Sequence, residues 1–129
     1  MARFLTEEWL DRSRELAAAQ PPRPGASARI QHVVTGGPDG EVRYWWVIED
    51  GRITGSGLGE LADADATMTE PYGDAVRIQR GELDLGAAFM QGRVKVSGNM
   101  ARVMTLLPIT SSADYRDLLA RIDADTDYA

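Results

Sequence analysis

The strongest constraint on the fold is a β-prone stretch enclosed by two turn signals. EVRYWWVIE (Glu41–Glu49) is preceded by TGGPDG (35–40) and followed by the pair Asp50-Gly51. β-branched and aromatic residues favour strands, and Asp-Gly is typical of a tight hairpin turn. ARIQHVV (Ala28–Val34) and RITGSGLGEL (52–61) flank the two turns. The sequence therefore predicts three strands joined by antiparallel hairpins, and the third strand ends in a glycine-rich segment.

A helix precedes these strands. Thr6 is a favourable N-cap, and Glu7 and Glu8 follow in the first turn, where the helix dipole stabilises acids. QPPRPG (20–25) ends the helix and predicts a stiff connector. Apolar residues at helical spacing predict its buried stripe, which consists of Leu5, Trp9, Leu16 and Ala17.

The pattern changes from strand to helix near the middle of the chain. ADATMTE (Ala64–Glu70) predicts a short fourth strand. Pro71 suits the first turn of a helix over Tyr72–Arg80, and Gly81 is typical of the residue that follows a helix. We therefore expect this helix to follow the fourth strand directly.

The next segment alternates between helix and strand. Asp84 is a favourable N-cap for a short helix over Leu85–Gln91, which Gly92 ends. RVKVS (Arg93–Ser97) then predicts a fifth strand. Its apolar face carries Val94 and Val96.

Two further helices are predicted after Gly98. Asn99 is an N-cap for the first, and Pro108 is expected to stop it. Its apolar stripe at helical spacing is Met100, Val103, Met104 and Leu107. Ser111-x-x-Asp114 resembles a capping box that starts the last helix. The residues expected to face inward from that helix are Tyr115, Leu118, Leu119 and Ile122.

The predicted order is one helix, four strands, two helices, a fifth strand and two helices. Hairpin strands with segregated helices favour the α+β class: a five-stranded, mainly antiparallel sheet with helices packed on one face. No internal repeat or linker divides the 129 residues, so we expect a single domain over residues 1–129.

Composition argues against several classes of function. The chain has no cysteine, which excludes disulfides, thiolate metal sites and cysteine nucleophiles and fits a reducing cytoplasm. A net charge of −6 argues against non-specific nucleic-acid binding and against a polybasic membrane anchor. No apolar run reaches the roughly 18–20 residues of a transmembrane helix. The charged N-terminus is unlike a secretory signal, and the C-terminal DTDYA is not a peroxisomal tripeptide.

Three motifs suggest chemistry at first sight, and each is better explained by structure. His32, the single histidine, alternates with Ile30 and Val34 on a strand and has no partner for metal binding. GSGLGE (55–60) does not open a helix, as a phosphate-binding loop must, so we expect a flexible strand end. DADTD (123–127) lacks the glycine of a calcium loop and predicts a frayed acidic tail.

Candidate catalytic groups are also missing from the sequence pattern. No G-x-S-x-G motif occurs, and no carboxylate stands inside an apolar pattern that would raise its pKa. We therefore expect no catalytic residue, no metal and no cofactor. The conspicuous feature of the sequence is its set of methionines at predicted inward positions. Methionine is a flexible apolar residue that fills core gaps and also lines adaptable binding surfaces. The methionines at predicted inward positions are Met68, Met90, Met100 and Met104.

Several motifs resemble the sterol carrier protein type 2 family, the non-specific lipid-transfer domain. The strongest resemblance is AAFMQGRVKVSGNM (87–100), which is similar to the hallmark of that family. ADATMT (64–69) and Gly81 are similar to its fourth strand and to the glycine after its helix. YWWVIEDG (44–51) looks like its tryptophan-bearing strand, and TEEWL (6–10) looks like the start of its bacterial stand-alone members.

The resemblance implies a hydrophobic tunnel between sheet and helices that binds fatty acids, fatty acyl-CoAs or sterols without catalysis. The expected partner is then a small lipid, with no nucleic acid, at most transient membrane contact, and a homodimer left open. Cytoplasmic localisation is expected. The positions that the resemblance carries over to the tunnel are Tyr44, Trp46, Ile48, Met68, Val76, Phe89, Met90, Val94, Val96, Met100 and Met104.

Two other classes of function stay open at this point. One is a non-catalytic interaction or oligomerisation module with a collapsed or unused cavity, in which Trp45 and Val47 on the outer sheet face pack against a partner. The other is an enzyme that acts on a lipid.

Overall fold

The computed structural model describes residues 1–128. Within this range the predicted elements occur in the predicted order, and a two-residue strand is added near each end. In chain order the elements are β1 (Ala2–Arg3), α1 (Glu7–Ala17), β2 (Ala28–Gly37), β3 (Gly40–Glu49), β4 (Arg52–Leu58), β5 (Ala66–Pro71), α2 (Tyr72–Gln79), α3 (Leu85–Met90), β6 (Lys95–Gly98), α4 (Met100–Thr110), α5 (Ala113–Ala124) and β7 (Thr126–Asp127).

The main sheet has five strands in the order β4-β3-β2-β5-β6. The pairs β2–β3, β3–β4 and β5–β6 are antiparallel, whereas β5 returns beside β2 in parallel. The predicted α+β class with a five-stranded, mainly antiparallel sheet is therefore confirmed. β2 is the central strand, and its residues Ile30, His32 and Val34 face the helices.

Predicted side-chain caps position three of the helices. The Thr6 hydroxyl accepts a hydrogen bond from the Trp9 N–H, and the Asp84 carboxylate accepts one from the Ala87 N–H. Asn99 likewise accepts one from the Arg102 N–H at 3.2 Å. The start of α5 differs from the prediction by one residue, because Ser112, and not Ser111, caps it.

The predicted helix stop at Pro108 is wrong. Pro108 lies inside α4, which continues to Thr110. Proline has no N–H, so the Met104 carbonyl loses its hydrogen bond within the helix. Two hydroxyls satisfy carbonyls of this last turn: Thr110 donates to the Leu107 oxygen, and Ser112 donates to the Ile109 oxygen, each at 2.7 Å.

The expectation of a frayed acidic tail is also wrong over the described residues. β7 pairs in parallel with β1 and forms a second, two-stranded sheet. Thr126 is buried, and the Tyr128 ring packs 5.3 Å from that of Phe4. The Arg80 guanidinium lies 4.5 Å from the centre of the Tyr128 ring. A tilted aromatic contact, a cation–π contact and a strand pair therefore anchor the described C-terminal residues to the body of the fold.

The glycines of β4 have a role that differs from the expected flexible strand end. Gly55 and Gly57 lie opposite Val47 and Trp45 in the ladder. A Cβ atom at Gly57 would lie 2.7 Å from Cζ2 of Trp45, which is closer than van der Waals contact. The missing side chains therefore make room for the indole, which covers the outer face of this strand.

Gly98 is expected to be essential for the close approach of β6 to β5. It has a φ of +106°, and a Cβ atom there would lie 2.6 Å from the Asp65 carbonyl oxygen. Gly92 has a similar φ of +75° but open space around it, so it is a matched control for backbone strain. We expect Gly92→Ala to cost about 1 kcal/mol of unfolding free energy, and Gly98→Ala to cost about 1–3 kcal/mol more.

Urea unfolding followed by tryptophan fluorescence measures both values. Equal losses of unfolding free energy in the two variants would contradict the close-contact explanation and would leave backbone strain as the sole cause.

Candidate ligand-binding pocket

The hydrophobic core is divided into two clusters. The first is built around Trp9, Tyr44 and Leu118 and joins α1, α2 and α5 to one half of the sheet. The second is built around Met68 and Val103 and joins α3, α4 and, through Ile78, α2 to the other half. The buried residues beneath the helices therefore form two clusters on the inner sheet face, and α2 contributes to both.

A pocket of about 180 Å³ lies between the two clusters. Its walls include Trp9, Ala75 and Leu118 from the first cluster and Met68 and Leu106 from the second. The sheet residues that line it are Ile30, His32, Tyr44, Trp46, Ile48, Ile53, Met68 and Glu70. Aliphatic and aromatic side chains thus form most of the lining, with a few polar groups among them.

The structure places the predicted tunnel residues in three groups. Tyr44, Trp46, Ile48 and Met68 line the pocket. Val76 packs against the first core cluster, Val94 and Val96 belong to or pack against the second, and Phe89 is half-buried on α3. Met90, Met100 and Met104 lie away from the pocket and are 82%, 38% and 53% exposed.

The orientation of α4 explains the exposure of its two methionines. Val103 and Leu106 are its buried residues, so the inward face is rotated relative to the predicted stripe. On the solvent side, Arg102 reaches across to the Ser27 carbonyl oxygen at 3.1 Å. Leu106, Leu107, Ile109 and Thr110 then extend from the last turns of the helix to the pocket.

The polar part of the pocket was not predicted from the sequence. Ser13 of α1, Glu70 of β5 and Gln79 of α2 line it and are 1%, 6% and 8% exposed. The expectation that no carboxylate lies inside an apolar pattern is wrong for Glu70. The available signal was strand alternation, because Glu70 follows Ala66 and Met68 at the spacing of one sheet face.

Glu70 is the carboxyl-bearing residue of the pocket lining, and its pKa is shifted. Burial raises the pKa of Glu70 from 4.5 to about 7, and the neighbouring Asp74 carboxylate adds to the increase. Arg93 and Arg77 lie 3.1 and 4.0 Å from Asp74, but no ion pair within residues 1–128 involves Glu70. Glu70 is therefore partly protonated near neutral pH.

His32 lies on the sheet floor beside Tyr44, on the strand adjacent to that of Glu70. Its ring stacks on that of Tyr44 with 4.6 Å between centroids and 2° between planes. Burial lowers the pKa of His32 to about 4, so the imidazole is neutral at pH 7. Burial also raises the phenol pKa of Tyr44 and, to about 12, that of Tyr115, with a contribution from the Glu70 charge to both.

Residues 1–128 lack two kinds of feature. No group of three or more histidine, aspartate or glutamate side chains is placed to hold a metal ion. No helix in the same range combines the length and apolar character needed to cross a membrane.

An apolar pocket between a sheet and its covering helices is typical of proteins that bind small apolar ligands. The sequence profile of the SCP-2 sterol transfer family matches residues 7–111. The chain therefore belongs to the SCP-2 sterol transfer family, whose domain is a generally non-catalytic fold for binding or transferring lipids and sterols. This confirms the family resemblance inferred from the sequence motifs. No curated protein matches the chain in sequence.

Solved structures support the same fold. A crystal structure of sterol carrier protein 2 is 16% identical, with a TM-score of 0.70 over 97% of this chain and 100% of its own. Palmitated SCP2L2 from Aedes aegypti is 21% identical, with a TM-score of 0.64 over 83% of this chain and 95% of its own. The inverting sec-alkylsulfatase Pisa1 from Pseudomonas sp. is 22% identical, with a TM-score of 0.50 over 69% of this chain and 14% of its own.

Glu70 is expected to make the stability of the fold depend on pH. Its pKa is raised on folding, so its stabilising contribution is complete below about pH 4.5 and is lost as pH rises through about 7. Glu70→Gln removes this loss, and we expect it to raise the free energy of unfolding at pH 8 by about 3 kcal/mol relative to wild type. Near pH 5 the two proteins should differ by less than about 1 kcal/mol.

Urea unfolding at both pH values tests this expectation, with Glu82→Gln on the exposed surface as the control. The His32 contribution, which is lost as pH falls from about 6.5 to about 4, is common to all three proteins and cancels. Parallel pH profiles for wild type and Glu70→Gln would contradict the assignment.

Proposed function

We propose that the protein binds and carries small lipids, such as fatty acids, fatty acyl-CoAs or sterol-like molecules, in the pocket between the sheet and the helices. The observation that carries this proposal is the largely apolar pocket between the two core clusters. Tyr44, Trp46, Ile48 and Met68 are the proposed apolar contacts. The palmitated SCP2L2 structure supports the proposal as a relative in fold that holds an acyl chain.

The energetics agree with reversible carriage. Burying an acyl chain gains about 0.8 kcal/mol per methylene, so a palmitoyl-length chain gains on the order of 10 kcal/mol gross. Loss of translational and rotational freedom and ordering of side chains remove several kcal/mol or more. An affinity in the micromolar range follows, which is appropriate for a carrier that must also release its ligand.

The volume of the pocket limits what fits without rearrangement. Its 180 Å³ is comparable to an engineered cavity of about 150 Å³ that binds benzene. A ring-sized group therefore fits as the pocket stands, whereas a complete acyl chain requires the walls to separate. Leu107, Ile109 and Thr110 of α4 are half-buried at the pocket, and Pro108 removes one backbone hydrogen bond from the same turns. We propose the end of α4 as the wall that moves.

A second candidate function is that of an accessory domain without transport activity of its own. The specific observation is the alkylsulfatase, in which a similar fold makes up 14% of a longer chain. Trp45 and Val47 are both half-buried on the outer sheet face and provide apolar surface for such a contact. We propose no catalytic step in either case.

Lipid carriage predicts that ligand accompanies the protein through purification. Denaturation followed by solvent extraction and mass spectrometry should detect stoichiometric lipid, and a fluorescent fatty acid should bind with a Kd on the order of 10 µM. If no lipid is extracted and the fluorescent fatty acid does not bind at that concentration, the carrier proposal fails and the accessory-domain proposal is favoured.

Filling the pocket should block binding. Ile48→Trp adds an indole to the pocket wall, and we expect it to weaken binding of the fluorescent fatty acid by about tenfold or more, equivalent to about 1.4 kcal/mol. Met104→Trp makes a similar change in size on the exposed side of α4 and should leave the affinity unchanged. Fluorescence titration measures both. Equal affinity in wild type and Ile48→Trp would place the ligand elsewhere.

A further inference from the structure

The pocket contains a concentration of polar atoms without partners. Five residues within positions 1–128 carry a buried side-chain nitrogen or oxygen that forms no hydrogen bond. Four of them line the pocket, and the atoms are Nε1 of Trp9, Oγ of Ser13, Nδ1 of His32 and Nε2 of Gln79. The fifth, Arg29, lies outside the pocket lining. A buried polar atom is normally paired, so a group of four in one cavity points to a ligand that pairs with them.

The chemistry of these groups defines the ligand that suits them. The indole N–H and the Gln79 amide N–H are donors, and the Ser13 hydroxyl both donates and accepts. Glu70 brings a carboxyl group with no ion-pair partner to the same pocket. A neutral ligand oxygen that accepts from Ser13 and Gln79 and tolerates the neighbouring Glu70 carboxyl group fits this set. An ionised ligand carboxylate fits less well, because its charge loses hydration in the pocket and is repelled by the ionised form of Glu70.

The origin of these groups shows that the arrangement is fixed by the fold. Trp9 and Ser13 lie on the same face of α1, and Gln79 is in the last turn of α2. His32 and Glu70 are on the adjacent parallel strands β2 and β5, where Glu70 is two register positions beyond the partner of His32. Ser13, Glu70 and Gln79 are each more than nine-tenths buried, so solvent at the surface does not satisfy them.

We propose that the pocket is selective for compact apolar molecules that carry one uncharged oxygen function, a hydroxyl or carbonyl, and that this oxygen binds between Ser13, Gln79 and Glu70 while the hydrocarbon lies against Ile30, Ile48 and Met68. The proposal rests on the proposed lipid-carrier function and narrows it to neutral ligands. Fatty acids are then bound less tightly than alcohols of the same shape.

A matched series of small fluorescent ligands tests the proposal. Naphthalene, naphthol and naphthoate share one ring system of a size suited to the pocket and differ in the polar group, which is absent, neutral and ionised at pH 7. For the wild-type protein we expect naphthol to bind about tenfold more tightly than naphthalene and naphthoate to bind more weakly than either. Equal affinity for naphthol and naphthalene would overturn the proposal.

Variants assign the selectivity to particular residues. Ser13→Ala and Gln79→Leu should each reduce naphthol affinity towards that of naphthalene, while naphthalene affinity stays the same and reports that the pocket is intact. Glu70→Gln cannot ionise and should improve naphthoate binding. Ser56→Ala, at a serine that lies outside the pocket lining, is the control and should change none of the three. If the variants weaken naphthol and naphthalene equally, the polar groups have only a structural role.

The fluorescent fatty acid separates failure of this proposal from failure of the carrier function. If it binds but naphthol shows no advantage over naphthalene, neutral-ligand selectivity is wrong and lipid carriage stands. If neither it nor any naphthalene compound binds, both proposals fail.

Discussion

The central constraint in this structure is that the helices cover one sheet face through two separate core clusters. β2 hydrogen bonds to β3 on one side and to β5 on the other, and it contributes Val34 to the first cluster and Ile30 to the second, so its inner residues lie below the boundary between the clusters. The first cluster is closed by aromatic packing, with Trp9 in edge contact with Phe4 and Tyr44. The second is closed by smaller aliphatic residues such as Ala88 and Val103. The pocket follows from this division of the core.

The polar groups at the boundary have an energetic cost. Each buried donor or acceptor without a partner destabilises a folded protein by about 1–3 kcal/mol, and a buried carboxyl group adds its own desolvation. In other proteins, replacing buried charged groups by apolar residues of similar volume is often neutral or stabilising. Natural proteins keep such destabilising features chiefly where activity requires them. The cost is therefore itself evidence that the boundary has a function beyond holding the fold together.

Local signals were sufficient to predict most of the fold, whereas relations between distant elements were not. Hairpin turns and side-chain caps act over a few residues, so the strands of the meander and the caps Thr6, Asp84 and Asn99 were predictable. The parallel return of β5 to β2 and the pairing of β1 with β7 depend on contacts far apart in sequence. The four predicted tunnel residues that line the pocket are on strands, where alternation determines the face. Those on α3 and α4 depended on helix rotation, which apolar periodicity alone left undetermined.

The distribution of apolar and polar side chains changes how ligand selectivity should be understood. Met90 and Met104, which the sequence favoured as tunnel residues, face outward, while Ser13, Glu70 and Gln79 face the pocket. Apolar walls discriminate weakly, because one methylene changes affinity by only about 1–3 kcal/mol. A buried hydrogen-bonding group discriminates far more strongly, because a ligand that lacks the matching group leaves it unpaired. Under the proposed function, the apolar lining therefore provides most of the affinity, and the few polar atoms at the boundary between the clusters determine which apolar molecules bind.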